Sequence, residues 1–165
     1  MYDPHSKEAI ERVNRLFENT NVSLMVQILR DLYVKGGATD DTMAAIDQLG
    51  LTTFHYAHNA FFLNVAERVF TGHESPQKVA THITKLKRHH DELADVDPDV
   101  AAQLVLAGIG SLVPSPDFPR IHMTPMKAAL ATAFIASTTL GGALLDSCIH
   151  GATARAIQLM VADGY

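Results

Sequence analysis

A chain of 165 residues, 47% hydrophobic and 19% charged, falls in the size range of one domain that buries its own core without cross-links or metal. Its one cysteine, Cys148, excludes an internal disulfide framework and a cysteine-based zinc cage. Thirteen Lys and Arg against eighteen Asp and Glu give a formal net charge of -5, which disfavours nucleic acid as a partner of the chain as a whole.

The opening Met1-Tyr2-Asp3-Pro4-His5 has neither the basic segment nor the apolar core of a secretion signal. A cytoplasmic location, peripheral to a membrane at most, is the expectation. Four prolines follow residues suited to capping a helix, at Asp3-Pro4, Ser75-Pro76, Asp97-Pro98 and Thr124-Pro125. Each pair predicts a helix start, because the capping oxygen accepts an orphan N–H and proline gives up a donor that had no partner. Gly36-Gly37, Gly50, Gly72 and Gly164 follow apolar runs and predict helix ends. With no alternating β-branched run and no hairpin turn, the fold class is all-α, a helical bundle of about six to eight helices.

In chain order, Ile10, Val13, Leu16 and Phe17 form the first helical stripe, and Asn19-Thr20-Asn21 breaks it. Met25, Ile28, Leu29, Leu32 and Tyr33 form the second. Thr39-Asp40-Asp41 opens a short helix carrying Met43, Ile46 and Leu49. The stretch from Phe54 to Phe70 is apolar on nearly every side and belongs in the middle of the bundle. After Ser75-Pro76, Val79, Ile83, Leu86 and Leu93 draw a narrow stripe with Lys78, Lys85, Lys87 and Arg88 outside it, the mark of a surface helix.

Composition changes near residue 96. Residues 1–95 carry 23 of the 31 formal charges and residues 96–165 only 8, so the chain reads as a charged part, 1–95, continuous with a charge-poor helical hairpin, 96–165. The hairpin arms are Val100 to Val113 and Ala128 to Leu145, joined by the proline-rich Pro114-Ser115-Pro116-Asp117-Phe118-Pro119. The first arm is too short to span a bilayer, and threonine, serine and glycine dilute the second. Ala129, Ala133, Ser137 and Gly141 recur every fourth residue on that second arm, a ridge of small side chains that predicts a self-association seam or close packing within the bundle.

Nine histidines raise the question of a metal site. His55 and His58 lie on one face of the Phe54 helix, while His82, His89 and His90 lie on or beside the Val79 stripe, so five imidazoles are expected to point inward as candidate ligands for a transition metal. The Glu-x-x-His pairs of di-iron bundles and the His-Glu-x-x-His of zinc proteases are absent. Asp146 and His150 are one turn apart, where a carboxylate can orient an imidazole; Cys148 falls on another side. Thr42 to Asn64 has a helix-turn-helix outline, but its second helix is aromatic and apolar where base readers are polar or basic.

These features predict a non-catalytic helical interaction or scaffold subunit. It is expected to self-associate through the apolar hairpin as a homo-oligomer or within a larger protein complex. That hairpin is a candidate to enclose a lipophilic ligand such as a lipid or quinone, or to touch a membrane surface. The alternative is a histidine-rich metalloprotein or metalloenzyme.

Overall fold

The computed structural model describes residues 2–109 and 124–165. The proline-rich connection at 114–119 and the end of the first hairpin arm lie outside the described residues. Among the described residues the chain is helical without strands: α1 Lys7–Asn19, α2 Val22–Tyr33, α3 Asp40–Leu49, α4 Leu51–Ala66, α5 Pro76–Lys87, a 3₁₀ turn at Asp91–Leu93, α6 Pro98–Gly108, α7 Thr124–Ser137 and α8 Gly142–Ala162. The all-α bundle read from the sequence is the observed architecture, and none of these helices is long and apolar enough to cross a membrane.

Local chemistry sets the helix ends. Ser75 accepts from the Lys78 N–H at 3.2 Å, and Asp97 accepts from Asp99 and Val100 at 2.8 and 3.3 Å, so these two of the four predicted proline starts are observed as capped helix starts. Asn21 caps α2 through Leu24 at 3.0 Å. At Asp3-Pro4 the chain departs from expectation. The Asp3 carboxylate accepts from His5 N–H at 2.9 Å and forms a turn, and α1 starts at Lys7 with Ser6 as its cap. Gly50 separates α3 from α4 at φ +95, a conformation that a side chain would strain.

The chain groups into two compact units, Met1–Phe61 with Asp146–Tyr165, and Phe62–Leu145, so α4 and α8 each contribute to both. The composition step at residue 96 falls inside the second unit. In the first unit, Leu24, Ile28, Ala45, Ile46 and Phe54 form a core cluster against which Leu32 and Leu49 pack. Arg30 reaches Asp146 at 3.0 Å, Tyr56 donates to Asp163 at 2.5 Å and Arg12 donates to the Tyr165 carbonyl at 2.7 Å. These contacts tie the start of the Asp146–Tyr165 segment to α2 and its end to α1 and α4.

In the second unit, Val79 and Ile83 of α5 are fully buried and α5 packs on α6. Leu93 belongs to the 3₁₀ turn rather than to the α5 stripe; it is buried, and α7 packs on that turn. Phe70 meets Phe134 edge-on at 5.7 Å. Lys87, read as an outward residue, lays its stem along the unit and donates from Nζ to the Val96 carbonyl at 2.7 Å. The charge-poor arms do what ordinary core helices do: Ala101, Ala102, Leu104, Val105 and Leu106 of α6 and Leu130, Ala131, Ala133 and Phe134 of α7 are buried.

The second arm is not one helix. α7 ends at Ser137, Thr139 takes φ +51, and α8 begins at Gly142. The Ser137 and Thr138 hydroxyls both donate to the Phe134 carbonyl, at 3.2 and 2.6 Å, satisfying the helix end by side-chain bonds that compete with further helix.

Candidate functional site

The five histidines expected as metal ligands are divided between the two units. His55 and His58 lie on the part of α4 that belongs to the first unit, and His82, His89 and His90 belong to the second. Among the described residues no three His, Cys, Asp or Glu side chains are grouped to hold a metal ion. Inward orientation holds for His58, which is 2% exposed, and fails for His89, which is exposed. His90 reaches Glu92 at 3.4 Å. The reason is geometric: spacing along one helix fixes which residues share a face, but not which faces of different helices meet.

Two of these histidines occupy well-defined environments. His58 Nε2 is hydrogen-bonded to the Tyr33 hydroxyl, with Phe61 4.5 Å from the Tyr33 ring and Phe54 5.7 Å from the His58 ring. Burial pushes the Tyr33 phenol well above its ordinary value of 10.0, which is opposite to what a phenolate nucleophile or base requires. The Tyr33 phenol therefore stays neutral and makes a polar contact within an aromatic core. His82 is held below its usual range by burial and then by the charge of Lys85; its ring stands edge-on to Phe70 at 5.2 Å, and its Nε2 has no hydrogen-bond partner.

Asp146 is engaged by Arg30 at 3.0 Å, and His150 is exposed. Their turn-apart spacing is thus taken up by an ion pair across helices. Cys148 is buried at 3% exposure, where a thiol behaves as a small apolar side chain. The small-residue ridge is also redistributed: Ala133 is completely buried, Ala129 is half-buried, Ser137 is exposed at the end of α7, and Gly141 lies beyond that helix. A seam along all four residues on one helix does not form. The second helix of the helix-turn-helix outline buries Phe54, Phe61 and Phe62, so these side chains are not available to base edges.

The feature that stands out is α1. Its apolar residues are gathered on one side, yet Ala9 is its only fully buried residue. Val13 and Leu16 are half-buried, while Ile10 is 49% and Phe17 46% exposed. Beside this strip, within the first unit, Ile10, Val13 and Asn14 of α1, Tyr2 of the preceding segment, and Arg155 and Leu159 of α8 line an open groove of about 480 Å³. The stripe was legible in the sequence; its lack of cover was not, and nothing in the sequence pointed to Tyr2 or Leu159 as its neighbours. The groove is mostly apolar with a polar edge, a surface suited to an apolar side chain from a partner. Comparison with protein-family models, curated proteins and solved structures finds no match for the chain.

Proposed function

We propose that this chain is a non-catalytic helical interaction subunit that associates with copies of itself. The observation that carries the reading is the uncovered face of α1, with Ile10 and Phe17 about half exposed beside an apolar groove. Large apolar residues scattered singly over a surface need no explanation. Two on one helix strip next to a groove mark a contact surface. The seam thus moves from the hairpin ridge, whose central Ala133 is buried in the chain itself, to the first helix. An apolar chamber or a membrane contact built from the hairpin draws no support from α6 and α7, whose large apolar residues are core.

The test is the molecular mass in solution as a function of concentration, by sedimentation or light scattering. A mass that rises from monomer toward an integer multiple supports the reading. A mass that stays monomeric up to about 1 mM, the weakest range in which specific association is useful, overturns it.

A further inference from the structure

We infer that two copies of the chain pair through α1, antiparallel about a two-fold axis, with Phe17 of each copy seated in the groove beside Ile10 of the other. This rests on the self-association reading above and specifies its seam. Lys7, Ile10, Asn14 and Phe17 are spaced by three, four and three residues, the spacing of a seam between two helices. All four are exposed on the same strip.

A two-fold contact must be self-complementary, with residue i meeting j and j meeting i. An axis passing between Val13 and Asn14 sets Ile10 opposite Phe17 at both ends of the seam. Ile10 lines the groove and Phe17 does not, so each copy offers one apolar knob and one place to receive it. Asn14 sits next to the axis, where a polar residue fixes register at some cost in strength.

The charges select the antiparallel direction. In that arrangement Lys7 comes within about 3 Å of helical rise of Glu18 on the other copy, within reach of a lysine side chain. A parallel pair instead stacks Lys7 on Lys7 and Glu18 on Glu18. α1 carries three basic and three acidic residues, whereas a helix lying on an anionic bilayer places an excess of Lys and Arg on its polar face. A second copy is the occupant this balance fits.

The experiment combines sedimentation velocity on the full chain with charge exchange. Ile10→Glu with Phe17→Glu should abolish the dimer while leaving the helical circular dichroism intact. Lys7→Glu and Glu18→Lys, made singly, should each weaken the dimer about three- to tenfold, as two exposed like-charge contacts replace two opposite ones. Mixed together, these two variants should form a heterodimer more readily than either forms a homodimer, because both contacts then carry opposite charges. That arm stays decisive even where the double glutamate variant fails to fold. A wild-type dimer with no heterodimer preference in the mixture overturns the antiparallel α1 seam and leaves self-association standing. A monomeric wild type overturns both. Vesicles of phosphatidylcholine with phosphatidylserine that bind the wild type, with no dimer in solution, overturn the seam in favour of a lipid surface.

Discussion

The Tyr33–His58 contact gives a prediction whose sign depends on pH. Tyr33→Phe keeps the ring against Phe61 and removes only the hydroxyl, leaving the nearly inaccessible His58 Nε2 without that partner. Losing one half of a buried hydrogen bond costs about 1–2 kcal/mol, which for a chain of this size lowers the thermal midpoint by roughly 3–6 °C near pH 7. At alkaline pH the balance changes. The phenol of folded Tyr33 titrates above the value of 10.0 that it has in the unfolded chain. Its contribution is fully present below pH 10 and is lost as pH rises above it, by at most about 1.4 kcal/mol per pH unit. Phenylalanine has no proton to lose, so the wild-type advantage should shrink above pH 10 and vanish about one unit higher. The assay is urea unfolding of both proteins from pH 7 to 11, read as the difference between them so that other titrating groups cancel. A difference that stays constant across that range refutes the claim that the protein holds this phenol neutral by burying it.

Three further outcomes follow from other parts of the fold. Glu74 accepts from Thr71 N–H, Gly72 N–H and the Thr71 hydroxyl at 2.8, 2.9 and 3.1 Å, bonds that pull its carboxyl down to about 2; a depressed pKa contributes stability above the unfolded value that is lost on acidification. Glu74→Gln should cost about 1 kcal/mol at pH 7, with the difference fading as pH falls below 4 in denaturant titrations. Gly108→Ala places a methyl 2.2 Å from Leu63 Cδ2, and because Leu63 is itself buried the overlap should cost about 1–3 kcal/mol, against which the better helix propensity of alanine is a partial offset; an unchanged thermal midpoint would contradict the close approach. Ala133→Leu should destabilise the fold by a similar amount, since Ala133 has no exposed surface, whereas Ser137→Leu at the exposed end of α7 should shift stability by less than about 0.5 kcal/mol.

Where structure is decided by neighbours in sequence, the sequence was a good guide. Ser75 and Asp97 cap their helices as their types and the following prolines require, and the Asn19-Thr20-Asn21 break falls between α1 and α2. The failures come where two local solutions compete. Asp3 has the chemistry of a cap, but its carboxylate closes a turn on His5 and leaves the capping to Ser6. Near residue 140 the paired glycines Gly141-Gly142, poor helix formers, lie at the break itself, which spans residues 138–141. Leu140 is 7% exposed, and hydroxyls on Ser137 and Thr138 were at hand to close α7. The histidines illustrate the larger gap. Periodicity put His58 and His82 on inner faces, and His58 is buried while His82 is half-buried against Phe70; whether faces of different helices meet is a tertiary question that spacing does not answer.

The comparison of α1 with α5 shows what kind of information was missing at the candidate site. Both helices carry an apolar stripe beside charged residues, and from sequence the two patterns make the same demand for cover. In α5 the demand is met within the chain, with Val79 and Ile83 completely buried. In α1 it is met only in part: Ala9 is buried, Val13 and Leu16 are half-covered, and Ile10 and Phe17 stay in water. Burial of apolar residues is a one-way rule, so an exposed one is no surprise singly. An amphipathic helix whose best apolar residues are the uncovered ones is different, because its stripe contributes little to folding the isolated chain. Replacing Ile10 and Phe17 by polar residues should therefore cost the monomer little, which urea unfolding of the monomeric chain checks.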